Sequence, residues 1–366
     1  MTKGFDSEDS QDAPLPMETT TSEELLSDIQ HFLPAWLPML ECLQSEDVPL
    51  KKKIDTLTRI KPFTQGSSGF QILPQLVKLL RTTTDVAFAH ALMSLLGQVK
   101  AFCLHETLVD IALATGIRLF EAPQDYRAFI EKEEVIKLRC MAIRLLGLLN
   151  NQNAIVPLMG LLNDVKANYR VRLEAAESLG RLRDPKAMQP LIRLLKDEQE
   201  SSLYLQESAV KALGLLGDIR ALDPLLDLFE SKKGVREKCQ FLFERILDAV
   251  GKLASEENLS RNERQKALDG VLGVIDDKAV SIRLSAVEAL GSIGDASHIP
   301  LLEIKLFDEN MEVAHSALAS LYKIGGMPVI KAVLALDELP KFLREEILDF
   351  LLLNSEEDDD NEANEN

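Results

Sequence analysis

The sequence predicts an all-α fold in which helical hairpins stack into an α-solenoid, a superhelix of about seven to eight repeats. The first observation is a segment that recurs at 138–164, 171–197 and 205–231, with a more divergent copy that begins at residue 282. The second is composition, because hydrophobic residues make up 46% of the 366 residues and aromatic ones only 5%. The third is that apolar residues recur at helical spacing, with almost none of the alternation that strands require.

The N-terminal part of the chain precedes these repeats. Residues 1–24 carry seven acidic residues against the single base Lys3, which predicts a disordered tail. Residues 25–60 contain amphipathic segments and the only tryptophan, Trp36, and we expect helices there that cap the open end of the first repeat. The stretch KPFTQGSSGF at 61–70 has the composition of a loop, and it separates this piece from the array.

The repeat array is expected over 70–339. Its copies align on the glycine of a leucine–glycine step, which stands 33 residues apart between Gly147 and Gly180 and 34 residues apart between Gly180 and Gly214. The aligned positions are Gly97, Gly147, Gly180, Gly214, Gly251 and Gly291, with Tyr322 in the last copy. Self-similarity at this period is typical of a solenoid, in which one unit buries its apolar face against the next.

The copy at 171–197 shows how each unit is expected to fold. Val171, Ala175 and Leu179 recur at helical spacing, so the first helix has one apolar face. After Gly180, Asp184 can cap a second helix and Pro185 can occupy its first position, where a missing amide hydrogen costs little. Each unit is therefore predicted to be a pair of antiparallel helices.

The pattern V-R-x-x-A-A-x-x-L-G-x-L-x-D-P-x-A-x-x-P-L-x-x-L-L-x-D resembles the HEAT repeat, and more narrowly the HEAT-like subclass of the phycobilisome bilin lyases. The match is strong over 138–231, good over 282–324 and weak over 70–104 and 242–254. The resemblance implies that the glycine-bearing helix of each pair lines the concave face. For function it implies little, because this subclass serves many partners.

Three further segments interrupt or end the array. The stretch 118–136 lengthens one connection, and it is interpreted either as a solvated insertion or as a loop over one edge of the groove. Residues 340–354 predict a C-terminal capping helix. Residues 355–366 carry seven acids and no base, which predicts a disordered acidic tail.

Charge and composition exclude several classes of function. The net charge is −18, of which the two tails hold −6 and −7, so residues 25–354 sum to only −5 and contain no basic block. This balance argues against nucleic acid as a partner.

No apolar run is long enough to predict a membrane span, and the N-terminus does not resemble a secretory signal. Four scattered cysteines without a C-x-x-C pair indicate reduced thiols in the cytoplasm.

Motifs for catalysis or metal binding are missing from the sequence. It contains no H-E-x-x-H, G-x-S-x-G or G-x-x-x-x-G-K-[ST] pattern. Deoxyhypusine hydroxylase, a HEAT-type enzyme, holds two irons with several His-Glu pairs, whereas this chain has only His105-Glu106. The sequence therefore predicts no catalytic residue, no metal ligand set and no cofactor.

The repeat register predicts a charged stripe of mixed sign along the concave face. We interpret it either as an ordinary solvated face or as a recognition surface for a partner protein. The candidate partner-binding residues are Arg144, Glu174, Glu177, Lys211, Arg245, Asp248 and Glu288. Weaker thiol and imidazole candidates in a neighbouring column are Cys140, His90 and His315.

These features give three functional hypotheses. The first is a non-catalytic scaffold, adaptor or assembly factor that binds one or more proteins along its concave surface. The second, implied by the resemblance, is a bilin lyase or lyase subunit with a phycobiliprotein client, for which Arg139, Arg144 and Arg172 are the candidate ligands of the propionates. The third is a scaffold for iron–sulfur assembly with Cys140 as the contact.

Overall fold

A computed structural model describes residues 34–101, 103–121, 124–196, 202–255 and 259–364, with side chains up to Leu352. The described residues form α-helices and short 3₁₀ turns and contain no strand, so the predicted all-α fold is confirmed. The chain divides into two compact units, Met1–Ile72 and Leu73–Asn366. The predicted tail at 1–24 and the first part of the predicted cap, 25–33, lie outside the described residues.

The first unit contains two helices that pack on each other, α1 (Leu37–Gln44) and α2 (Leu50–Ile60). Their apolar faces are buried at Leu40, Leu43, Leu57 and Ile60. A 3₁₀ turn follows at Lys61–Thr64, and α3 (Gly66–Thr82) begins directly after it. That these helices cap the array stays a prediction.

The loop predicted at 61–70 is wrong, because most of this stretch is helical. Gly66 lies at φ 66°, so the chain turns there and enters α3 at once. Apolar residues at helical spacing follow, and Leu73, Leu76 and Leu80 are buried. The burial of this face outweighs the low helix propensity of the glycine and serine residues at 66–69.

The helices of the second unit alternate between glycine-bearing A helices and shorter B helices. In chain order they are α4 (Val86–Gln98), α5 (His105–Leu113), α6 (Arg118–Glu121), α7 (Tyr126–Ile130), α8 (Glu133–Leu148), α9 (Ile155–Asn163), α10 (Tyr169–Leu182), α11 (Met188–Lys196), α12 (Leu203–Leu216), α13 (Leu222–Lys232), α14 (Gln240–Ala254), α15 (Arg261–Leu272), α16 (Val280–Ile293), α17 (Ile299–Lys305), α18 (Met311–Leu334) and α19 (Lys341–Asn364). The A helices are α4, α8, α10, α12, α14, α16 and the first part of α18. This unit is the α-solenoid that the repeats predict.

A short capped turn joins the A helix to the B helix in several repeats. The side chain of Asp184 accepts a hydrogen bond from the backbone N–H of Lys186, and Pro185 occupies the first position of a 3₁₀ turn that leads into α11. The predicted cap is therefore confirmed. Equivalent turns are capped by Asn151, Asp218 and Asp295. These short side chains satisfy backbone donors that the start of a helix leaves unpaired.

The glycines that align between the repeats, which we call the register glycines, lie where consecutive A helices pack closely. A Cβ atom on Gly180 would lie 2.6 Å from the Cα atom of Ala212 in α12, and one on Gly214 would lie 3.0 Å from the Cα atom of Ala249 in α14. The other small residues that face a register glycine in this way are Ser178, Ala289 and Ser320. From α8 to α18, close packing of A helices thus pairs a glycine on one helix with a small residue on the next, whereas Gly97 of α4 faces the Leu145 side chain.

The A helices pack more tightly on one another than the B helices do. Consecutive A helices contact each other extensively, whereas consecutive B helices touch at few points. A stack with unequal spacing in its two layers curves toward the tighter layer. The A helices therefore form the inner face of this unit, as the resemblance to HEAT repeats implies.

Helix α18 is two core helices joined at a sharp break. Among the described residues it is the one helix long and apolar enough to cross a membrane by length and composition. Its backbone is non-helical at Gly326 (φ 61°, ψ −158°), and Pro328 follows inside the second part. Val313, Ala317 and Leu321 of the first part are buried, and this part packs against α16. Of its most apolar stretch, 33% is buried.

Two segments differ from their sequence-based interpretation. The insertion at 118–136 contains α6 and α7 and ends where α8 begins, at Glu133. It is helical in part, and residues 124–128 and 131–134 are exposed, as a solvated insertion predicts, whereas Phe120 is buried and the Tyr126 hydroxyl donates to the Ala114 carbonyl over 2.7 Å. The helix predicted at 340–354 continues as α19 to Asn364, into the acidic segment for which disorder is predicted. No proline or glycine follows Pro340 to end it.

Candidate functional site

The predicted stripe on the A helices begins as a ladder of ion pairs across α8, α10 and α12. Arg144 binds both oxygens of the Glu174 carboxylate, with N–O distances of 2.9 and 2.8 Å. An oxygen of the Glu177 carboxylate forms ion pairs with Arg181 and Lys211, with N–O distances of 2.9 Å in both. Glu174 is buried, with 7% of its side chain exposed, so Arg144 and Arg181 offset the cost of burying its charge. This ion-pair ladder (Arg144, Glu174, Glu177, Arg181, Lys211) joins three consecutive repeats.

The remaining predicted residues of the stripe lie further along the A helices and are not part of the ladder. Asp248 pairs with Lys252 one turn later on α14, at 2.7 Å. Arg245 is exposed on the same helix. Glu288 on α16 is partly exposed to solvent, and its carboxylate makes no hydrogen bond or ion pair with the described residues. The structure therefore does not unite the seven predicted residues in one site.

Asp248 and Glu288 line a cavity of about 700 Å³ between α14, α16, α18 and α19, which we call the acidic groove. Its other charged residues are Lys252, Glu312, His315, Lys323 and Glu346. Four carboxylates thus face two lysines and one histidine. Partial burial raises the pKa of Glu288, and the nearby Asp248 adds to this effect while Lys323 opposes it.

An apolar pocket of about 210 Å³ adjoins the acidic groove. We define it by Leu318, Tyr322, Ile330, Ile347 and Phe350, which α18 and α19 contribute. The rings of Tyr322 and Phe350 meet edge to face with centroids 5.5 Å apart.

Three weaker candidates lie apart from one another. Burial, with a smaller effect of Glu174, raises the pKa of the Cys140 thiol to about 11, so this thiol is protonated near neutral pH and is a poor metal ligand. His90 is exposed on α4. His315 lies in the acidic groove, where its Nε2 is 3.1 Å from an oxygen of Glu346. No group of three His, Cys, Asp or Glu side chains in the described part of the chain is arranged to hold a metal ion.

Two of the three arginines considered for bilin propionates are structural, which corrects that interpretation. Arg139 and Arg172 are 4% and 7% exposed. Their Nε atoms donate to the carbonyl oxygens of Ala112 and Leu162, each over 3.1 Å, near the C-termini of α5 and α9. The sequence contains a sign of this structural role. Arg139, Arg172 and Arg283 each stand eight residues before the register glycine of their repeat. Recurrence at a buried register position indicates a role in the fold.

Sequence reasoning missed several charged residues of the inner face. Three of them share one position of the repeat alignment and could have been found from it. Arg181 and Lys252 each follow a register glycine, and Lys323 follows Tyr322 in the same register. This column lies beside the predicted stripe and supplies cations to the ladder and the groove. Glu312 and Glu346 had no such signal, because the last repeat departs from the pattern.

Comparison with known proteins supports the repeat assignment. A profile described as HEAT repeats matches residues 127–203 and 166–242. Residues 127–242 are therefore built of HEAT repeats. A search of curated protein sequences gives no significant match. The A and B helices within these residues, the capped turns between them and the glycines Gly147, Gly180 and Gly214 belong to this repeat.

Several solved structures are similar to this HEAT-repeat chain in fold. The complex of CpcE and CpcF of phycocyanin lyase from Nostoc sp. PCC7120 is 21% identical, with 64% of this chain and 90% of that chain covered and a TM-score of 0.41. Yeast importin-β (Kap95p) is 11% identical over 90% of this chain and 48% of its own length, with a TM-score of 0.48. Human deoxyhypusine hydroxylase is 16% identical over 82% and 98%, with a TM-score of 0.30. With TM-scores this low, none of these similarities bears on the function of this chain.

Proposed function

We propose that this chain is a non-catalytic HEAT-repeat scaffold, an adaptor or assembly factor that binds a partner protein on its inner, A-helix face. The observation that carries the proposal is the acidic groove, to which α14, α16, α18 and α19 each contribute charged side chains. A groove of several repeats offers a long surface with charges of fixed position. Such a surface selects a protein partner through complementary charge.

The two parts of the inner face have different roles in this proposal. In the ion-pair ladder the charges satisfy one another, so this part holds neighbouring repeats in register. In the acidic groove the carboxylate of Glu288 is left to water and to a partner. We therefore assign partner binding to the groove and move it away from Arg144, Glu174, Glu177 and Lys211.

The two alternative hypotheses have less support from the residues. Binding of a bilin would rely on Arg144 alone among the three proposed arginines, and that guanidinium is already paired with Glu174. A role in iron–sulfur assembly would rely on Cys140, whose thiol is protonated near neutral pH.

Capture of a partner from the native host tests the proposal. The full-length chain is immobilised, and retained proteins are identified by mass spectrometry and confirmed by reciprocal purification. We expect at least one protein that the wild type retains and that Asp248→Asn/Lys252→Gln/Glu312→Gln loses by about tenfold, since these changes remove groove charges.

A variant on the B helices provides the matched control. Asp227→Asn/Lys232→Gln/Glu237→Gln changes the net charge by the same amount, on α13 and the segment after it. It should retain the partner at the wild-type level. Equal retention by the two variants, or the absence of any specifically retained protein, would contradict the proposal.

A further inference from the structure

The acidic groove and the apolar pocket are two halves of one continuous surface. His315, Ala319 and Glu346 line both of them. The pocket therefore adjoins the groove and lies between α18 and α19. A ligand that occupies the pocket with an apolar side chain lies beside the Glu346 carboxylate of the groove.

The apolar half is accessible to a ligand. Tyr322, which lines the pocket, is 45% exposed, and Phe350, whose ring contacts that of Tyr322, is 37% exposed. Ile347 and Ile330 form the buried floor of the pocket. Exposed apolar residues that adjoin one another beside a concavity are typical of binding sites.

The acidic groove determines the sign of the charge that a ligand must carry. The groove presents the carboxylates of Asp248, Glu288, Glu312 and Glu346 against Lys252 and Lys323. Between 355 and 366 the sequence adds seven acidic residues and no base. This surface attracts cationic side chains, and it repels a second copy of the same acidic chain.

We propose that the acidic groove and the apolar pocket together bind a basic, amphipathic helical segment of the partner protein. The apolar face of that helix occupies the pocket, and its lysine or arginine side chains pair with the groove carboxylates. This inference rests on the proposed scaffold function and adds to it the chemistry of the segment that is recognised.

A synthetic peptide can represent this ligand before any partner is known. The probe is a fluorescein-labelled peptide of about 18 residues built from leucine and lysine, with leucine at helical spacing. One control peptide has glutamate in place of every lysine, and another has the same composition with leucine and lysine in strict alternation. Binding to the full-length chain is followed by fluorescence anisotropy at about 0.05 M and about 0.5 M salt.

Two variants of the chain examine the two halves separately. Glu288→Gln/Glu312→Gln should weaken binding of the helical peptide about threefold to tenfold and reduce its dependence on salt. Tyr322→Ser should weaken it about tenfold at both salt concentrations, because it removes apolar surface. Far-UV circular dichroism and melting temperature show whether each variant is folded.

Matched controls exist for both variants. Asp227→Asn/Glu237→Gln removes two carboxylates from α13 and the segment after it, and Tyr204→Ser removes a tyrosine that is 66% exposed at the start of α12. Both should bind the helical peptide within about twofold of the wild type.

Several results would overturn the inference. They are no binding of the helical peptide, equal binding of the alternating peptide, equal affinity of all variants, or a dimer in light scattering that Tyr322→Ser abolishes. If the groove variant loses a captured host protein but the wild type does not bind the peptide, the scaffold function stands and this inference fails. Peptide binding without any captured partner would leave the scaffold function unsupported.

Discussion

At the scale of single residues, the register glycines are important because of the space they leave free. A methyl group on Gly180 would lie against the backbone of Ala212, which cannot move without shifting α12. Gly160 on α9 has no atom within 4 Å of the position of such a methyl group. The two glycines therefore make a matched pair in which only the packing differs.

We expect Gly180→Ala to lower the free energy of unfolding by about 1–3 kcal/mol, because it overpacks the contact between α10 and α12. Gly160→Ala should raise it by up to about 1 kcal/mol, because alanine favours the helix. Urea denaturation followed by circular dichroism measures both. If the two variants change stability in the same direction, close packing at Gly180 is not the reason for the register glycine.

The carboxyl group of Glu288 gives a prediction for pH dependence. Its pKa is raised in the folded chain above the ordinary value of 4.5, mainly by burial and also by Asp248. The stability of the wild type relative to Glu288→Gln is therefore fully present below pH 4.5 and is lost as the pH rises through the raised pKa. The melting temperature of Glu288→Gln minus that of the wild type should increase between about pH 4 and about pH 7. A difference that is constant or decreases over this range would contradict it.

Single residues also show what could be predicted from the sequence. Asp184 was predicted correctly because the cap depends only on its nearest neighbours in the chain. The contact of Glu177 with Lys211 was not, because these residues are one repeat apart and their distance depends on the rotation of two helices. Arg139 was misassigned as a ligand because a sequence does not show burial directly.

At the scale of helices, Gly326 divides what would otherwise be one long apolar helix. Its φ of 61° with ψ of −158° is a backbone conformation that residues with a Cβ atom rarely adopt. The break ends the A helix of the last repeat and begins the segment that contains Pro328. Sequence reasoning did not find this break because the two glycines lie inside a continuous apolar run.

We expect Gly326→Ala to destabilise the chain by about 1–3 kcal/mol, the cost of a strained backbone, although no atom of the neighbouring helices opposes the added methyl group. Thermal unfolding measures the loss. Gly160→Ala again serves as the control. A neutral or stabilising Gly326→Ala would show that α18 can form one continuous helix.

Helix boundaries were predicted well where a cap or a proline marks them, as at α11, and poorly elsewhere. The stretch 61–70 contains glycine and serine residues that favour a loop locally, yet burial of Leu73 and Leu76 extends α3 into it. Such a gain comes from tertiary packing and has no local signature. The insertion at 118–136 shows the same limit, because the ring contact of Phe120 with Phe129 and the hydrogen bond from Tyr126 to the Ala114 carbonyl depend on tertiary packing.

At the scale of the whole array, the ion-pair ladder couples repeats that are also joined by packing and by hydrogen bonds such as that from Ser178 to the Ile143 carbonyl. Arg144 belongs to one repeat and Glu174 to the next, whereas Asp248 and Lys252 lie on one helix. The two pairs therefore distinguish coupling between repeats from coupling within a helix.

A double-mutant cycle with Arg144→Gln and Glu174→Gln should give a coupling energy of about 1 kcal/mol, since the Glu174 carboxylate is buried and bound by both guanidinium donors. The cycle with Asp248→Asn and Lys252→Gln should give about 0.3–0.5 kcal/mol, as is usual for exposed pairs one turn apart. Chemical denaturation of the wild type and the six variants provides both values. Equal coupling energies would mean that the ladder does not hold repeats together.

The fit between a glycine and the small residue of the following A helix makes the junctions from α8 to α18 nearly interchangeable. A whole hairpin can be duplicated or lost without creating a mismatch, because the new neighbours present the same complementary surfaces. Length changes inside an A helix would instead rotate the glycine away from its counterpart. Chains of this kind can therefore grow by copying entire units, and variation in length accumulates in the connections between helices.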